Sequence, residues 1–282
     1  FHVENLPLIT QLNNLGLEYD KIIGAQTVEW DGKEITLAQL TPIILSSDRP
    51  TRERAWMAAM KRGQQDREAL NGLWVRMLET RIQIAKNAGF DNYLDYRWRE
   101  LKRFDYTPEN SVAFQNAIEE VVVPAAARLY ERHRQQLGYD SLRPWDEEWR
   151  FGIDPKGRAP LNPYQSESEL INTTQQIFNN VDPVLGEHFR TMRAHNLLDL
   201  DNRKGKAPGG YCMTLPNVKK PFIFMNGVGL HDDVQTMLHE GGHSFHVFEG
   251  AHLEYIHQEN VPMEFAEVAS MAMELLAAPY LA

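Results

Sequence analysis

Two histidines four residues apart, with a glutamate directly after the first, form the segment His239-Glu240-Gly241-Gly242-His243. On a helix this i, i+4 spacing stacks both imidazoles on one face, one turn apart, so that two ring nitrogens can grip a single cation. Glu240 projects about 100° round the helix from His239, beside such a cation rather than against it. There a carboxylate can take a proton from a metal-activated water. Two histidines that merely fill a polar face would explain neither Glu240 nor the paired glycines. Gly241 and Gly242 each cost roughly 1 kcal/mol relative to alanine inside a helix, and close approach of another backbone is the expected reason. Asp232 reads as the cap of this helix, with Gln235 in the capping-box position.

Zinc takes three protein ligands and leaves a fourth position open for water. The extended pattern HExxHxxGxxH fails, because His246 stands at its glycine and Glu249 at its last histidine. The alternative is a carboxylate on the next helix. There VPMEFAEVASMAMELL carries Glu264, Glu267, Met271 and Glu274 near one stripe. His246 reads as a core residue or a neighbour of the ligands. His231, His252 and His257 read as capping or loop residues, and Met237, Met263, Met271 and Met273 as packing.

HEGGHSFH followed by EFAEVAS resembles the thimet oligopeptidase and oligoendopeptidase F family of zinc peptidases. DGKEITLAQL, LSSDRPTRERAW, GFDNYLDYRW, KGKAPGGYCM and PFIFMN resemble successive stretches of oligoendopeptidase F chains, so the likeness covers nearly the whole sequence. The resemblance implies one zinc per chain held by His239, His243 and Glu267, with Glu240 as general base and then acid in the hydrolysis of internal bonds of short peptides. Thermolysin-like or aminopeptidase spacing would instead put the third ligand at Met263 or Pro262, neither of which can replace a carboxylate. Glu264, about one turn before Glu267, is expected to accept a hydrogen bond from the distal nitrogen of a ligating histidine. Gly209, Gly210 and Tyr211 open an extended run to Leu215 that reads as an edge strand able to pair with substrate backbone, as the resemblance also implies. Family members usually carry a bulky residue at the position of Gly241. They stabilise the oxyanion with a histidine and a tyrosine downstream of the zinc ligands, so this chain, ending at Ala282, is expected to be weak or inactive alone.

The elements that must position these groups read as mainly α, with a small sheet beside the HExxH helix; the resemblance implies a zincin-type catalytic domain whose two lobes enclose a channel. Helices are expected over residues 1 to 24 and, as one helix or two in series, from Asp48 to about Ala88, where Gly89 ends the pattern. Thr107-Pro108 opens a further helix running to Leu137-Gly138, which Pro124 must kink or split. Two more follow, the second behind Asp182-Pro183. A hairpin turns at Asp31-Gly32 within residues 26–36. The stretch from Asp146 to Pro163 is interrupted by glycine and proline and reads as a loop. Residues 1–200 are expected to be the helical part of one catalytic domain and 201–282 its zinc-binding part. With Phe1 in place of an initiator methionine and an uncapped apolar end, the chain reads as cut at both ends, with the C-terminal remainder of the domain missing.

Among 282 residues, 39 are acidic and 29 basic, for a formal charge of −10, which opposes binding to nucleic acid. The basic cluster Arg203, Lys204, Lys206 reads as a solvated loop. Cys212 is the only cysteine, so no intrachain disulfide can form; with no secretory signal and no membrane span, the cytoplasm is the expected compartment. Two rival readings remain: a non-catalytic, zinc-stabilised peptide-binding module, and a helical scaffold with a fortuitous HExxH.

Overall fold

A computed structural model describes residues 2–146, 153–259 and 261–281. Residues 147–152, within the expected loop before Pro163, lie outside the described residues, as do Asn260 in the loop after His252 and the terminal Ala282. The elements in chain order are α1 (Asn5–Gly24), β1 (Thr27–Trp30), β2 (Lys33–Thr36), α2 (Leu37–Ile44), α3 (Arg49–Gln65), α4 (Arg67–Asn87), α5 (Tyr93–Glu100), α6 (Pro108–Ala117), α7 (Val123–Leu137), α8 (Glu167–Val181), α9 (Pro183–Ala194), β3 (Leu198–Asp201), β4 (Tyr211–Leu215), β5 (Lys220–Gly227), α10 (His231–Gly250) and α11 (Met263–Ala277). The fold is mainly α, as its periodicities predict. No described helix is long and apolar enough to cross a membrane.

The chain divides into two compact units, one of residues 1–19 and 43–159, the other of residues 20–42 and 160–282. The hairpin belongs to the unit that holds HEGGH, and local contacts explain why. Thr36 Oγ1 donates to Asn202 Oδ1 at 2.5 Å, Lys204 Nζ pairs with Glu34 at 2.6 Å, and Gly205 N donates to the Gly24 carbonyl at 2.8 Å. The turn itself has Asp31 at φ 48° and Gly32 at φ 80°, the two positive values that a tight hairpin requires.

In the first unit, Asp48 caps α3 by accepting from Thr51 N at 3.0 Å, and α3 gives way to α4 at Asp66, so the long amphipathic run is two helices in series. Pro124 splits its run as expected. α6, opened by a reciprocal Thr107–Asn110 capping box, passes through one turn of π-helix at Ile118–Val122 before α7. The anchor of this unit is fully buried Arg52. Its guanidinium donates to the carbonyls of Ser46, Ser47 and Trp145 at 3.0 to 3.1 Å, and pairs with buried Asp146 at 2.9 Å. Arg49 reaches the same carboxylate at 2.7 Å. Burial alone would raise the Asp146 pKa, but hydrogen bonds from both arginines outweigh it and hold the carboxyl below its ordinary value.

In the second unit, β5 is the middle of a three-stranded sheet, parallel to β3 and antiparallel to β4. Its alternation buries Pro221, Ile223 and Met225, and α10 packs against it. Phe178 of α8, Phe189 of α9 and Phe245 of α10 meet edge to face, with ring centroids 4.8 to 5.1 Å apart, and close the core together with Met237 and Leu238. Lys206 is buried rather than solvated: its ammonium donates to the carbonyls of Asp199 and Asp201 and to the Asp199 carboxylate, all at 2.9 to 3.0 Å.

Asp146→Ala leaves the Arg52 charge buried and uncompensated, and is expected to destabilise the first unit by about 3–5 kcal/mol at pH 7. Because the folded-state carboxyl pKa lies below its unfolded value, this contribution is full above about pH 4 and fades as pH falls through the folded pKa. Urea midpoints of the parent and the variant should therefore converge in acid. The Trp56–Trp145 ring pair, 5.7 Å apart, offers a local fluorescence probe.

Candidate metal centre

Helix α10 starts two residues earlier than the sequence suggests. Leu230 precedes its first turn, and the cap is made by Asp233, not Asp232. The Asp233 carboxylate accepts from Leu230 N at 2.7 Å, Val228 N at 2.9 Å and the Tyr164 hydroxyl at 2.7 Å. This fixes the end of β5 to the start of α10 and so sets the phase of the helix face carrying His239 and His243.

Helix α11 crosses that face in the opposite sense: His239 meets Glu274, Gly242 meets Ala269 and Ser270, and His243 meets Ala266 and Glu267. A β-carbon at Gly242 would lie 2.6 Å from the Ala269 carbonyl oxygen and from Ser270 Cα, so the expected backbone approach is real here. Gly241 differs from expectation. Its β-carbon would strike the tip of the Phe178 ring at 2.5 Å, so a side chain rather than a backbone fills that space.

The closeness of α11 brings three ligand-type groups together. Ligand atoms of His239, His243 and Glu267 all lie within 4.8 Å of one another, with Glu267 Oε2 3.2 Å from His239 Nε2 and 3.8 Å from His243 Nε2. Ligands about 2.0–2.1 Å from a tetrahedral zinc are separated from each other by about 3.3 Å, so these residues fit the metal. The two imidazoles stand at 85° to each other, 5.0 Å apart. His239 Nδ1 contacts Glu274 Oε1 at 2.7 Å, which holds that proton on Nδ1 and leaves Nε2 free to ligate. Ser270 Oγ donates to Glu267 Oε2 at 3.0 Å and steadies that carboxylate.

The carboxylate behind His239 is thus Glu274 and not Glu264. Since α11 runs antiparallel to α10, residues after Glu267 lie towards His239, whereas Glu264 lies beyond His243, towards the end of α10. Glu274 stands on the stripe visible in the sequence, seven residues after Glu267; the direction of helix crossing, which selects it, is not written in the spacing.

Glu240 is buried, at 6% exposure. Burial raises its pKa most, with Glu267 adding to the rise, while His239 and the backbone N–H of Cys212 pull it down. Burial also lowers the His243 pKa, favouring the neutral, ligating imidazole. The Cys212 thiol is pushed up to about 11 by burial, against a hydrogen bond with Ser244 at 3.3 Å, so it is a neutral neighbour rather than a nucleophile.

β4 is an edge strand, paired only with β5 among the described residues. Gly210 lets it press on α10: a β-carbon there would come 2.9 Å from Thr236 Cγ2. Gly210, Tyr211 and Cys212 line one side of a cleft of about 760 Å³ whose other lining residues include His239, Glu240, His243 and Glu267. Tyr211 stacks on Phe224 at 4.8 Å. Gly209, at φ 86°, is outside the cleft lining; its carbonyl accepts from Asn226 at 2.9 Å and orients the entry to the strand.

Comparison with known proteins places this geometry in context. Residues 43–282 match the family model described as Peptidase family M3. The chain is 28% identical over 280 residues to a dipeptidyl carboxypeptidase of Escherichia coli (strain K12), covering 80% of this chain and 40% of that protein. It is 25% identical to an oligoendopeptidase F homolog of Mycoplasma pneumoniae (strain ATCC 29342 / M129 / Subtype 1), covering 95% and 45%. The solved structure of PZ peptidase A with inhibitor 2 superposes with a TM-score of 0.92 at 33% identity, covering all of this chain and 49% of that one. The chain therefore spans less than half the length of these relatives.

The two glycines should respond differently to substitution. Gly241→Ala and Gly242→Ala are each expected to cost about 1–3 kcal/mol through overpacking. Phe178→Leu should recover part of the loss for Gly241→Ala and none for Gly242→Ala, whose clash is with backbone. Thermal unfolding of the single and double variants checks this.

Proposed function

Because the chain belongs to peptidase family M3, we propose that it carries the metal-binding part of a zinc-dependent endopeptidase that hydrolyses internal bonds of short peptides. The observation that supports this best is the convergence of His239, His243 and Glu267 within 4.8 Å, with buried Glu240 beside them. In this reading those three residues hold one zinc. When bound, zinc supplies Lewis acidity that makes water a nucleophile near neutral pH. Glu240, whose burial makes it a better base than an ordinary carboxylate, takes the proton of the attacking water and returns it to the leaving amine. Glu274 keeps His239 in the tautomer that ligates through Nε2. The free edge of β4, from Tyr211 onward, pairs with substrate backbone, and Gly210 allows the strand to lie close to the metal helix.

The partners are peptides, not nucleic acid or membrane, and the compartment is the cytoplasm, consistent with an acidic chain holding one cysteine. The dipeptidyl carboxypeptidase among the relatives favours a second reading, removal of dipeptides from the C-terminus. Mass spectrometry of the products from long peptides separates the two: internal fragments mark an endopeptidase, a ladder of C-terminal dipeptides the other. A zinc-stabilised module without catalysis is separated by Glu240→Gln.

Glu240→Gln should retain one zinc per chain and lower cleavage by about 10²–10⁴-fold. Undiminished cleavage would refute the assignment. The 282-residue chain, which spans less than half the length of the relatives it matches, should bind zinc yet turn over peptides weakly; robust turnover of an internally quenched peptide would contradict this.

A further inference from the structure

The cleft continues past the metal ligands along the C-terminal half of α10, where Val247, Gly250, Ala251 and Leu253 join its lining. Its far end is crossed by one side chain. Lys219, in the turn between β4 and β5, extends its ammonium to the Ala251 carbonyl at 3.0 Å and to Glu259 Oε1 at 3.0 Å. Both partners belong to the connection between α10 and α11, and Lys219, Ala251 and Glu259 all line the cleft. Lys219 also sits at φ 49°, a left-handed conformation unusual for lysine. A strained residue at the rim of a site is a reason to ask what its side chain does there.

Resting on the peptidase reading above, we propose that the Lys219–Glu259 pair is an ionic latch across the cleft that limits how many substrate residues lie on the N-terminal side of the scissile bond. The direction follows from pairing. The Cys212 backbone N–H contacts Glu240, so Cys212 lies level with the reacting carbonyl. A peptide antiparallel to β4, the more stable ladder, runs its N-terminal residues towards Pro216 and Lys219. The reach follows from helix rise. From His243 to Ala251 is eight residues, about 12 Å at ~1.5 Å each, which an extended peptide crosses in about three or four residues. The pair is partly exposed, with side-chain exposures of 48% and 28%, so a longer peptide displaces it at a measurable cost rather than being barred.

The test uses the zinc-loaded Glu240→Gln chain and peptidyl hydroxamates of increasing length, whose terminal hydroxamate chelates the metal and fixes the register. Fluorescence anisotropy should show affinity rising with each residue up to the third or fourth and then levelling. With Lys219→Met it should continue to rise, by about threefold or more over the next residues; Glu259→Gln gives the same comparison from the opposite wall if the lysine variant folds poorly. The exchange Lys219→Glu with Glu259→Lys should restore the break, which a purely structural role for Lys219 would not produce. An identical break in all variants, or no break in any, overturns the latch while leaving the peptidase reading intact. Hydroxamates that bind no better with zinc than without it overturn both.

Discussion

Helices α10 and α11 touch backbone to backbone at Gly242, and the geometry of the candidate centre descends from that contact. With no β-carbon to hold it off, the Ala269–Ser270 segment comes close enough for Glu267 to reach both histidines of α10. The antiparallel sense of the crossing then sets which residue serves which histidine: Glu274 backs His239, and Ala266 hydrogen-bonds the ring of His243. Other parts of the same unit hold the register of this crossing. Asp233 locks the start of α10 to the end of β5, and the Phe178 ring occupies the notch left by Gly241 on the core side.

Electrostatics makes the arrangement one that suits a cation. Glu240, Glu267 and Glu274 gather about two imidazoles, and Glu240 is buried with its pKa raised by that burial and by Glu267. Groups of like charge drawn together in a poorly solvated place repel one another, and a divalent ion is the usual large local charge that reverses the balance. A ligand set of two imidazole nitrogens and one carboxylate oxygen is a zinc-type donor set.

The sequence made much of this legible, for identifiable reasons. HExxH and the stripe on the following helix are periodic signals within single helices, and periodicity is what a sequence displays most directly. The same holds for the Asp31-Gly32 turn, the Thr107 and Asp182 caps and the break at Pro124, each decided by its nearest neighbours along the chain. Features that the spacing does not carry depend on contacts between distant segments. Choosing Glu274 over Glu264 needed the direction of helix crossing, and the occupant of the Gly241 notch comes from α8. Lys206 looked like one of three surface cations, yet it is buried because two carbonyls and a carboxylate of β3 enclose it. That α8 and α9 supply the aromatic wall against which α10 packs is likewise a contact between distant segments.

The open flank of β4 also bears on association between molecules. The backbone groups along such an open edge cannot tell one extended chain from another, including β4 of a second molecule. At high concentration such strand-to-strand docking would compete for the same hydrogen bonds. The shortness of the strand, five residues followed by Pro216, restricts how far that ladder could grow and discourages runaway self-association.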